Sequence, residues 1–116
     1  MDCIFCKIVA GQIPSPRLYE DANTIVIRDV SPQSKHHFLV LPKKHVASLA
    51  DLFANEAEGR GVMGDLFSAA NAVAKQEGLL TAGFRSVINT GADGGQTVFH
   101  LHLHVLGGQK MKGTFA

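Results

Sequence analysis

The most constraining feature of the sequence is a run near its C-terminus in which three histidines alternate with aliphatic residues, His100-Leu101-His102-Leu103-His104-Val105-Leu106. Alternate side chains of a β-strand share a face, so this spacing predicts histidines on one side and Leu101, Leu103 and Val105 in a core. A helix would scatter them. The preceding segment, Gly91 to Thr97, is polar and contains glycine, which predicts a turn whose backbone amides lie near an anion. Imidazoles beside such a turn favour phosphorus chemistry.

Composition favours a compact chain without a strongly charged surface. Its 116 residues are about the length of one domain and 46% of them are hydrophobic, so we expect one folded domain over residues 1–116. A net charge of +1 and a single Lys43-Lys44 pair do not predict binding to nucleic acid or to a membrane. The sequence shows no apolar stretch typical of a signal peptide or a membrane span. We therefore expect a cytoplasmic protein whose cysteines are reduced thiols or metal ligands.

Turn residues and hydrophobic spacing divide the chain into helices and strands. We predict a short helix over Cys3–Ala10, a helix start at Ser48 and a long helix over Asn55–Glu77, although three glycines disfavour the first turns of the long helix. The apolar stripe of the long helix consists of Val62, Met63, Leu66, Phe67, Ala70, Val73 and Ala74. The predicted strands are Leu18–Glu20, Thr24–Arg28, Phe38–Leu41, Arg85–Asn89 and Phe99–Leu106. This order predicts an α+β fold with an antiparallel sheet.

Spacing alone leaves several roles open for the three histidines. Residues four apart on a strand are separated by about 13 Å, so we do not expect all three to bind one ion at ~2 Å. Neutral imidazole is a nucleophile, and its adduct with phosphorus is labile enough to be an intermediate. Phosphoryl or nucleotidyl transfer would use the middle histidine for attack and its neighbours to hold the phosphoryl oxygens. A solvated polar face or a fortuitous metal site is the alternative interpretation.

The run matches the His-x-His-x-His-x-x pattern of the histidine triad (HIT) superfamily. Further segments resemble its Hint branch, the histidine triad nucleotide-binding proteins: Asp29 to Gln33, His37 to His45, Asn89, Gly94 to Val98, and Leu106 to Gly108. The resemblance extends from about Cys3 to Gly108. It implies a five-stranded antiparallel sheet with one long and one short helix. It also implies a homodimer in which two sheets join into one continuous sheet, with the long helix at the interface.

The activity that the resemblance implies is that of a nucleoside phosphoramidase. Such proteins bind purine nucleotides such as AMP and cleave the P–N bond of adenosine phosphoramidates or of lysine-linked AMP. His102 would be the nucleophile that forms a nucleotidyl-histidine intermediate, while His104 and Thr97 would hold phosphate oxygens and complete the catalytic set. The implied substrate-binding set places Asp29 at the ribose, Asn89 at the phosphate, and Phe5, Ile8 and Ile27 at the base. Ordinary core packing is the alternative for the three residues at the base. The other members of the set are Val30, Gly95, Gln96, Thr97, Val98, His102 and His104.

The resemblance also implies a structural zinc site. Cys3 and Cys6 have the Cys-x-x-Cys spacing with which two thiolates hold one tetrahedral ion, although this motif alone is a weak signal. Some bacterial relatives complete the site with the histidine after the Pro-Lys-Lys segment and the first triad histidine, which here are His45 and His100. The alternative is that the cysteines are small buried residues and that His45 caps a loop. His36 receives no role, and His37 is interpreted as a near-site or packing residue.

The sequence departs from the family pattern at two places. Thr97 stands where many relatives have serine, but it keeps the hydroxyl, so we expect little loss. The tail after Gly108 lacks a tryptophan that some relatives place near the partner's active site, which leaves the leaving-group preference open. Three other functions also stay open: a dinucleoside polyphosphate hydrolase of the neighbouring Fhit branch, an AMP-binding regulatory module, and a metal carrier.

Overall fold

The chain folds into a five-stranded antiparallel sheet with helices, as seen in a computed structural model that describes residues 3–113. In chain order, the elements are α1 (Ile4–Val9), β1 (Arg17–Glu20), β2 (Thr24–Arg28), β3 (His36–Pro42), α2 (Leu49–Leu52), α3 (Glu56–Gln76), β4 (Phe84–Val87) and β5 (Leu103–Gly107). The strand order across the sheet is β1-β2-β3-β5-β4. Every neighbouring pair is antiparallel. The predicted fold class and the five-stranded sheet are confirmed.

The histidine run becomes a strand later than predicted. We expected a strand over Phe99–Leu106, whereas β5 begins at Leu103. The neighbouring strand β3 ends at Pro42, whose nitrogen carries no hydrogen and cannot extend the ladder. The N–H of Leu101 instead donates to the carbonyl oxygen of Val46 at 2.8 Å. The strand prediction for residues 99–102 is therefore wrong.

The predicted alternation within the run is nevertheless present. Leu101, Leu103 and Val105 are fully buried in the larger core cluster, which fills the space between the sheet and α3. The rings of His100 and His102 contact Phe5, which belongs to a second core cluster that includes α1. The run therefore has one face in the core and one face toward α1.

Side-chain caps set the starts of two helices. The hydroxyl of Ser48 accepts a hydrogen bond from the N–H of Asp51 at 3.2 Å and caps α2, which confirms the predicted helix start. The side-chain oxygen of Asn55 accepts from the N–H of Glu58 at 3.0 Å and caps α3 in the same way. Both caps satisfy N–H groups that the first helical turn leaves without a partner.

The apolar stripe of α3 packs on the sheet, with one exception. Phe67 was predicted to belong to this stripe, but its side chain is 47% exposed. The buried arc of the helix is centred on Leu66, Ala70 and Val73, and Phe67 lies at the edge of that arc, where the helix surface turns to solvent. Within residues 3–113, no helix is long and apolar enough to cross a membrane.

The short helix α1 covers part of the sheet face opposite α3. Phe5 and Ile8 of this helix pack against apolar side chains of β2 and β3. The Arg17 guanidinium donates to the carbonyl oxygens of Ile8 at 2.8 Å and Val9 at 3.1 Å, which satisfies acceptors at the end of α1. Six residues of helix are about 9 Å long. α1 therefore leaves room beside it for a cleft.

Candidate active site and metal centre

A cleft of about 780 Å³ lies beside α1 and brings the predicted binding residues together. Every residue of the implied substrate-binding set lines it. The apolar lining includes Phe5 and Ile8 from α1 and Ile27 from β2, and the polar lining includes His102 and His104. Sequence reasoning missed further lining residues, namely Ile4, Ile13, Pro14, Ser15, Arg28, Gln33 and Leu39.

One of the missed residues, Leu39, could have been found from the pairing of β2 with β3. Leu39 is the partner of Ile27 in that register, so the two side chains lie on the same face of the sheet. The register follows from the pairing of the two strands and was not part of the sequence prediction. By contrast, Pro14 and Ser15 line the cleft from the irregular link between α1 and β1, and we find no sequence signal for this placement.

The glycine-containing turn is closed by the side chain of Gln96, which is 94% buried. Its Oε1 accepts from the N–H of Gly91 at 2.9 Å, and its Nε2 donates to the carbonyl oxygens of Ala47 at 2.7 Å and Val98 at 3.1 Å. The amide of Asn89 donates to the carbonyl oxygen of Gly94 at 2.8 Å. These two amides, both predicted to bind substrate, thus shape the turn, which holds Thr97 exposed on the cleft.

His102 is held in one tautomer by the backbone. Its Nδ1 lies 2.8 Å from the carbonyl oxygen of His100. A carbonyl oxygen only accepts, so Nδ1 carries the proton and Nε2 of the neutral ring has a free lone pair. The ring is packed edge-to-face against Phe5, with centroids 5.1 Å apart, and lies 4.9 Å from the ring of His104. This arrangement orients an imidazole nitrogen that is chemically capable of nucleophilic attack.

His104 is held in the opposite tautomer by a relay that begins at the backbone. The N–H of Gln33 donates to Nδ1 of His37 at 3.0 Å, so the proton of neutral His37 is on its Nε2. That Nε2 lies 2.9 Å from Nδ1 of His104 and donates to it. The proton of neutral His104 is therefore on Nε2, where it can donate to an anionic oxygen. His37, interpreted from the sequence as a near-site or packing residue, has this specific contact.

Asp29 follows β2 directly and contributes a carboxylate to the lining of the cleft. Its Oδ1 accepts from the N–H of Ser31 at 2.8 Å, and its Oδ2 lies 3.5 Å from Nε2 of His37. The backbone N–H of Ser31 thus holds one oxygen of the carboxylate, Oδ1, in place. A carboxylate has several acceptor positions, so this group can still accept hydrogen bonds from paired hydroxyls.

Beside the cleft, Cys3, Cys6, His45 and His100 form a cluster whose four donor atoms lie within 4.8 Å of one another. The sulfur of Cys3 is 3.3 Å from Nδ1 of His100, and the sulfur of Cys6 is 3.3 Å from Nδ1 of His45 and 3.6 Å from Nδ1 of His100. The two Nδ1 atoms are 3.2 Å apart. Around one tetrahedral zinc ion, S···N and N···N separations are roughly 3.6 and 3.3 Å. The observed spacings fit such an ion.

The hydrogen bond of the His100 ring to the backbone orients one donor of the cluster. Nε2 of His100 lies 2.8 Å from the carbonyl oxygen of Pro42, so Nε2 is protonated and Nδ1 has its lone pair toward the cysteines. The N–H of Cys6 donates to the sulfur of Cys3 at 3.3 Å. A second group of possible ligands, Asp29, His37 and His104, differs because Nε2 of His37 carries a proton. That group is a hydrogen-bond relay.

Comparisons with known proteins agree with this geometry. A family model described as "Scavenger mRNA decapping enzyme C-term binding" matches residues 2–115. An uncharacterized HIT-like protein of Synechococcus elongatus is 47% identical over 95% of this chain and 93% of its own length. A 14 kDa zinc-binding protein of Brassica juncea is 44% identical over 95% of this chain and 96% of its own length. The chain belongs to the HIT superfamily. Among solved structures, a HIT family hydrolase from Clostridium thermocellum has 40% sequence identity to this chain and a TM-score of 0.92. The match covers 99% of this chain and 97% of that one.

The two histidines of the relay in this HIT protein are neutral at physiological pH. Burial lowers the pKa of His104 to about 4, and the nearby rings of His102 and His37 add to this effect. Burial also lowers the pKa of His37, although the carboxylate of Asp29 opposes the shift. Neutral rings preserve the alternation of donors and acceptors in the relay, because a protonated imidazole has no acceptor nitrogen.

The low pKa of His104 predicts that the protein loses stability as the pH falls. Between an ordinary histidine pKa of about 6.5 and the folded value of about 4, the unfolded chain binds a proton at this position and the folded chain does not. The free energy of unfolding should therefore fall with decreasing pH across this window, by up to about 1.4 kcal/mol per pH unit from this group. Urea unfolding at several pH values should show a shallower slope for His104→Gln than for the wild type. Parallel profiles would contradict the prediction.

Proposed function

We propose that this HIT protein belongs to the Hint branch and is a purine nucleoside phosphoramidase, which cleaves the P–N bond of AMP joined to an amine, including the side chain of lysine. The observation that carries the proposal is the fixed tautomer of His102, whose Nε2 lone pair is available at a cleft of nucleotide size. The Clostridium thermocellum relative is named a HIT family hydrolase, which supports a hydrolytic reaction. A cytoplasmic location and a single HIT domain over residues 1–116 stay predictions.

The lining of the cleft supports a nucleotide bound along it. A purine base would pack against the apolar side chains of Phe5, Ile8 and Ile27, which are largely buried. Of these, Phe5 supplies an aromatic ring. Ribose hydroxyls would donate to Asp29, because a carboxylate accepts strongly from paired O–H groups. The phosphate would lie at the turn, beside Thr97. Val30 and Val98 would complete the walls, with Asn89, Gly95 and Gln96 shaping the turn.

The reaction has two steps in this proposal. Nε2 of His102 attacks phosphorus, the P–N bond breaks, and the amine leaves after taking up a proton from solvent, so that the nucleotide is joined to His102. Water then attacks the same phosphorus, its hydroxyl stays on AMP, its other proton goes to solvent, and the P–N bond to His102 breaks. The N–H of His104 and the hydroxyl of Thr97 hold the phosphoryl oxygens, whose negative charge rises at each transition state.

The cysteine and histidine cluster is proposed to hold structural zinc. Two sulfurs and two imidazole nitrogens at tetrahedral separations are a donor set that zinc favours. The Brassica juncea relative is named a zinc-binding protein, which agrees with this assignment. Bound zinc would supply a crosslink between α1, His45 of the β3–α2 loop and the histidine run. The P–N cleavage described above uses none of these four side chains.

A homodimer is also proposed, whereas nucleic acid and membranes are not proposed as partners. β4 is an edge strand that pairs with β5 on one side, so its other edge is available for a second sheet. α3 exposes the ring of Phe67, an apolar group that an interface would cover. These features fit two copies whose sheets join at β4 with α3 alongside.

The phosphoramidase proposal predicts a severe loss of activity when His102 is removed. His102→Ala should lower the turnover of an adenosine 5′-phosphoramidate by roughly a thousandfold or more, because no nucleophile remains. Release of the amine from a fluorogenic conjugate measures the rate, and mass spectrometry of quenched wild-type protein should show an added nucleotidyl group. His36→Gln is the matched control, since His36 does not line the cleft.

Turnover assays, together with measurements of AMP binding and metal content, distinguish the other functions. Full turnover by His102→Ala would eliminate His102 as the nucleophile. Faster hydrolysis of a dinucleoside polyphosphate than of the phosphoramidate would favour the Fhit-type activity. Tight AMP binding without turnover of any phosphoramidate would favour a regulatory module, and several metal ions per chain with no nucleotide affinity would favour a metal carrier.

The zinc proposal predicts one ion per chain in protein purified without chelator. Cys3→Ser should lower the zinc content severalfold, because a hydroxyl replaces one thiolate ligand. Elemental analysis measures the ratio directly. Ser34→Ala, at a position outside the cluster, should keep the full content, and an unchanged zinc content in Cys3→Ser would remove Cys3 from the site.

The dimer proposal predicts a concentration-independent mass of two chains at micromolar protein. Phe67→Glu should raise the dissociation constant of the dimer by an order of magnitude or more, because it places a charge in an apolar contact. Sedimentation velocity of both proteins measures this change. A wild-type protein that sediments as a monomer at these concentrations would refute the proposal.

A further inference from the structure

Phe5 connects the metal cluster with the cleft. It lies between Cys3 and Cys6 in the sequence, and its ring is packed edge-to-face against two imidazoles. The centroid of the Phe5 ring is 5.7 Å from that of His100, at an interplanar angle of 89°, and 5.1 Å from that of His102, at 72°. One buried ring therefore contacts both a donor of the cluster and the proposed nucleophile.

His100 makes a second connection between the same two sites. Its Nδ1 faces the cysteines, and its Nε2 is hydrogen-bonded to Pro42, so the imidazole belongs to the cluster. Its backbone carbonyl accepts the proton of Nδ1 of His102, so the main chain of the same residue belongs to the cleft. The residue has no exposed surface. A displacement of His100 would move the acceptor that selects the tautomer of His102.

The helix that carries Phe5 is too short to be stable by itself. α1 has six residues, fewer than a helix needs to form in isolation, so its position depends on tertiary contacts. At its end, Arg17 donates to two carbonyl oxygens. At its start, Cys3 and Cys6 face His45 and His100. Ligation of both cysteines would thus fix the start of α1 and, with it, the ring of Phe5.

We propose that Phe5 and His100 are positioning residues that couple the metal cluster to His102. When the cluster is loaded, they hold His102 with its proton on Nδ1 and its Nε2 lone pair toward the cleft. When it is empty, α1 and His100 relax and His102 samples both tautomers. This inference rests on the proposed roles of the cluster and of His102. Coupling of this kind is reciprocal. If bound zinc raises the affinity of the cleft for nucleotide by some factor, then bound nucleotide raises the affinity of the cluster for zinc by the same factor.

The tautomer of His102 tests the coupling without any measurement of activity. Protein with ¹⁵N-labelled histidine is compared in its zinc-loaded and chelator-treated forms, in mildly alkaline buffer where imidazoles are neutral. Long-range ¹H–¹⁵N spectra should show a single Nδ1–H tautomer in the loaded form and averaged nitrogen shifts in the zinc-free form. Identical His102 shifts in the two forms would overturn the proposal.

Zinc affinity with and without AMP provides the second arm of the experiment. Competition with a chromophoric chelator should show that saturating AMP raises zinc affinity about fivefold or more in the wild type. Phe5→Leu should bind one zinc per chain and lose most of that increase. Phe53→Leu is the matched control, because Phe53 lies outside the cleft and the cluster, and it should behave as the wild type. If Phe5→Leu does not fold by circular dichroism, Phe5→Met replaces it.

The outcomes separate this inference from the proposed function. If calorimetry detects no AMP binding, the nucleotide proposal fails, and the His102 spectra still decide whether the cluster controls the tautomer. If AMP binds but leaves zinc affinity unchanged, the coupling fails and the nucleotide site stands. If no zinc binds, both the metal site and the coupling are refuted.

Discussion

The two-sided burial of the segment from Leu101 to Val105 is the constraint on which the rest of the structure depends. Its aliphatic side chains have no exposed surface and lie under α3, while the alternate histidines lie toward α1 and the cleft. A shift of the β3–β5 register by one residue would exchange the two faces, so the aliphatic burial also fixes where the imidazoles lie. Because α1 is short, the histidine face is only partly covered. The same residues thus stabilise the core and line the cleft.

Much of the fold could be predicted because the signals were local. The bounds of β2, the cap at Ser48 and the two faces of the histidine run follow from short-range spacing and turn chemistry. The start of β5 could not be predicted in the same way, since it depends on where β3 ends at Pro42, far away in the sequence. Phe67 was assigned to the buried stripe because periodicity gives the direction of a side chain, whereas the width of the buried arc depends on what packs against the helix.

The candidate site shows the same division between local and long-range information. Family resemblance indicated which residues meet at the cleft and implied roles for several of them, but not the hydrogen bonds that hold their side chains. Gln96 was expected to bind substrate, and its side-chain amide also makes hydrogen bonds to Gly91, Ala47 and Val98. This assignment depends on a loop 49 residues away, at Ala47, that sequence spacing does not reveal. A turn that is closed by its own side chains is pre-organised, so a bound anion would require little further ordering of the backbone.

Backbone groups explain how histidines of identical chemistry acquire different properties. The carbonyl oxygens of Pro42 and of His100 accept from His100 and His102, which places the free lone pairs on Nδ1 of the former and Nε2 of the latter. At His37 the N–H of Gln33 donates to Nδ1, so the proton of the ring is on Nε2. This Nε2 donates to Nδ1 of His104, which places the proton of His104 on its own Nε2. Burial keeps His37 and His104 neutral. Since main-chain atoms set these tautomers, a change in the backbone at one histidine is transmitted to the ring of its neighbour.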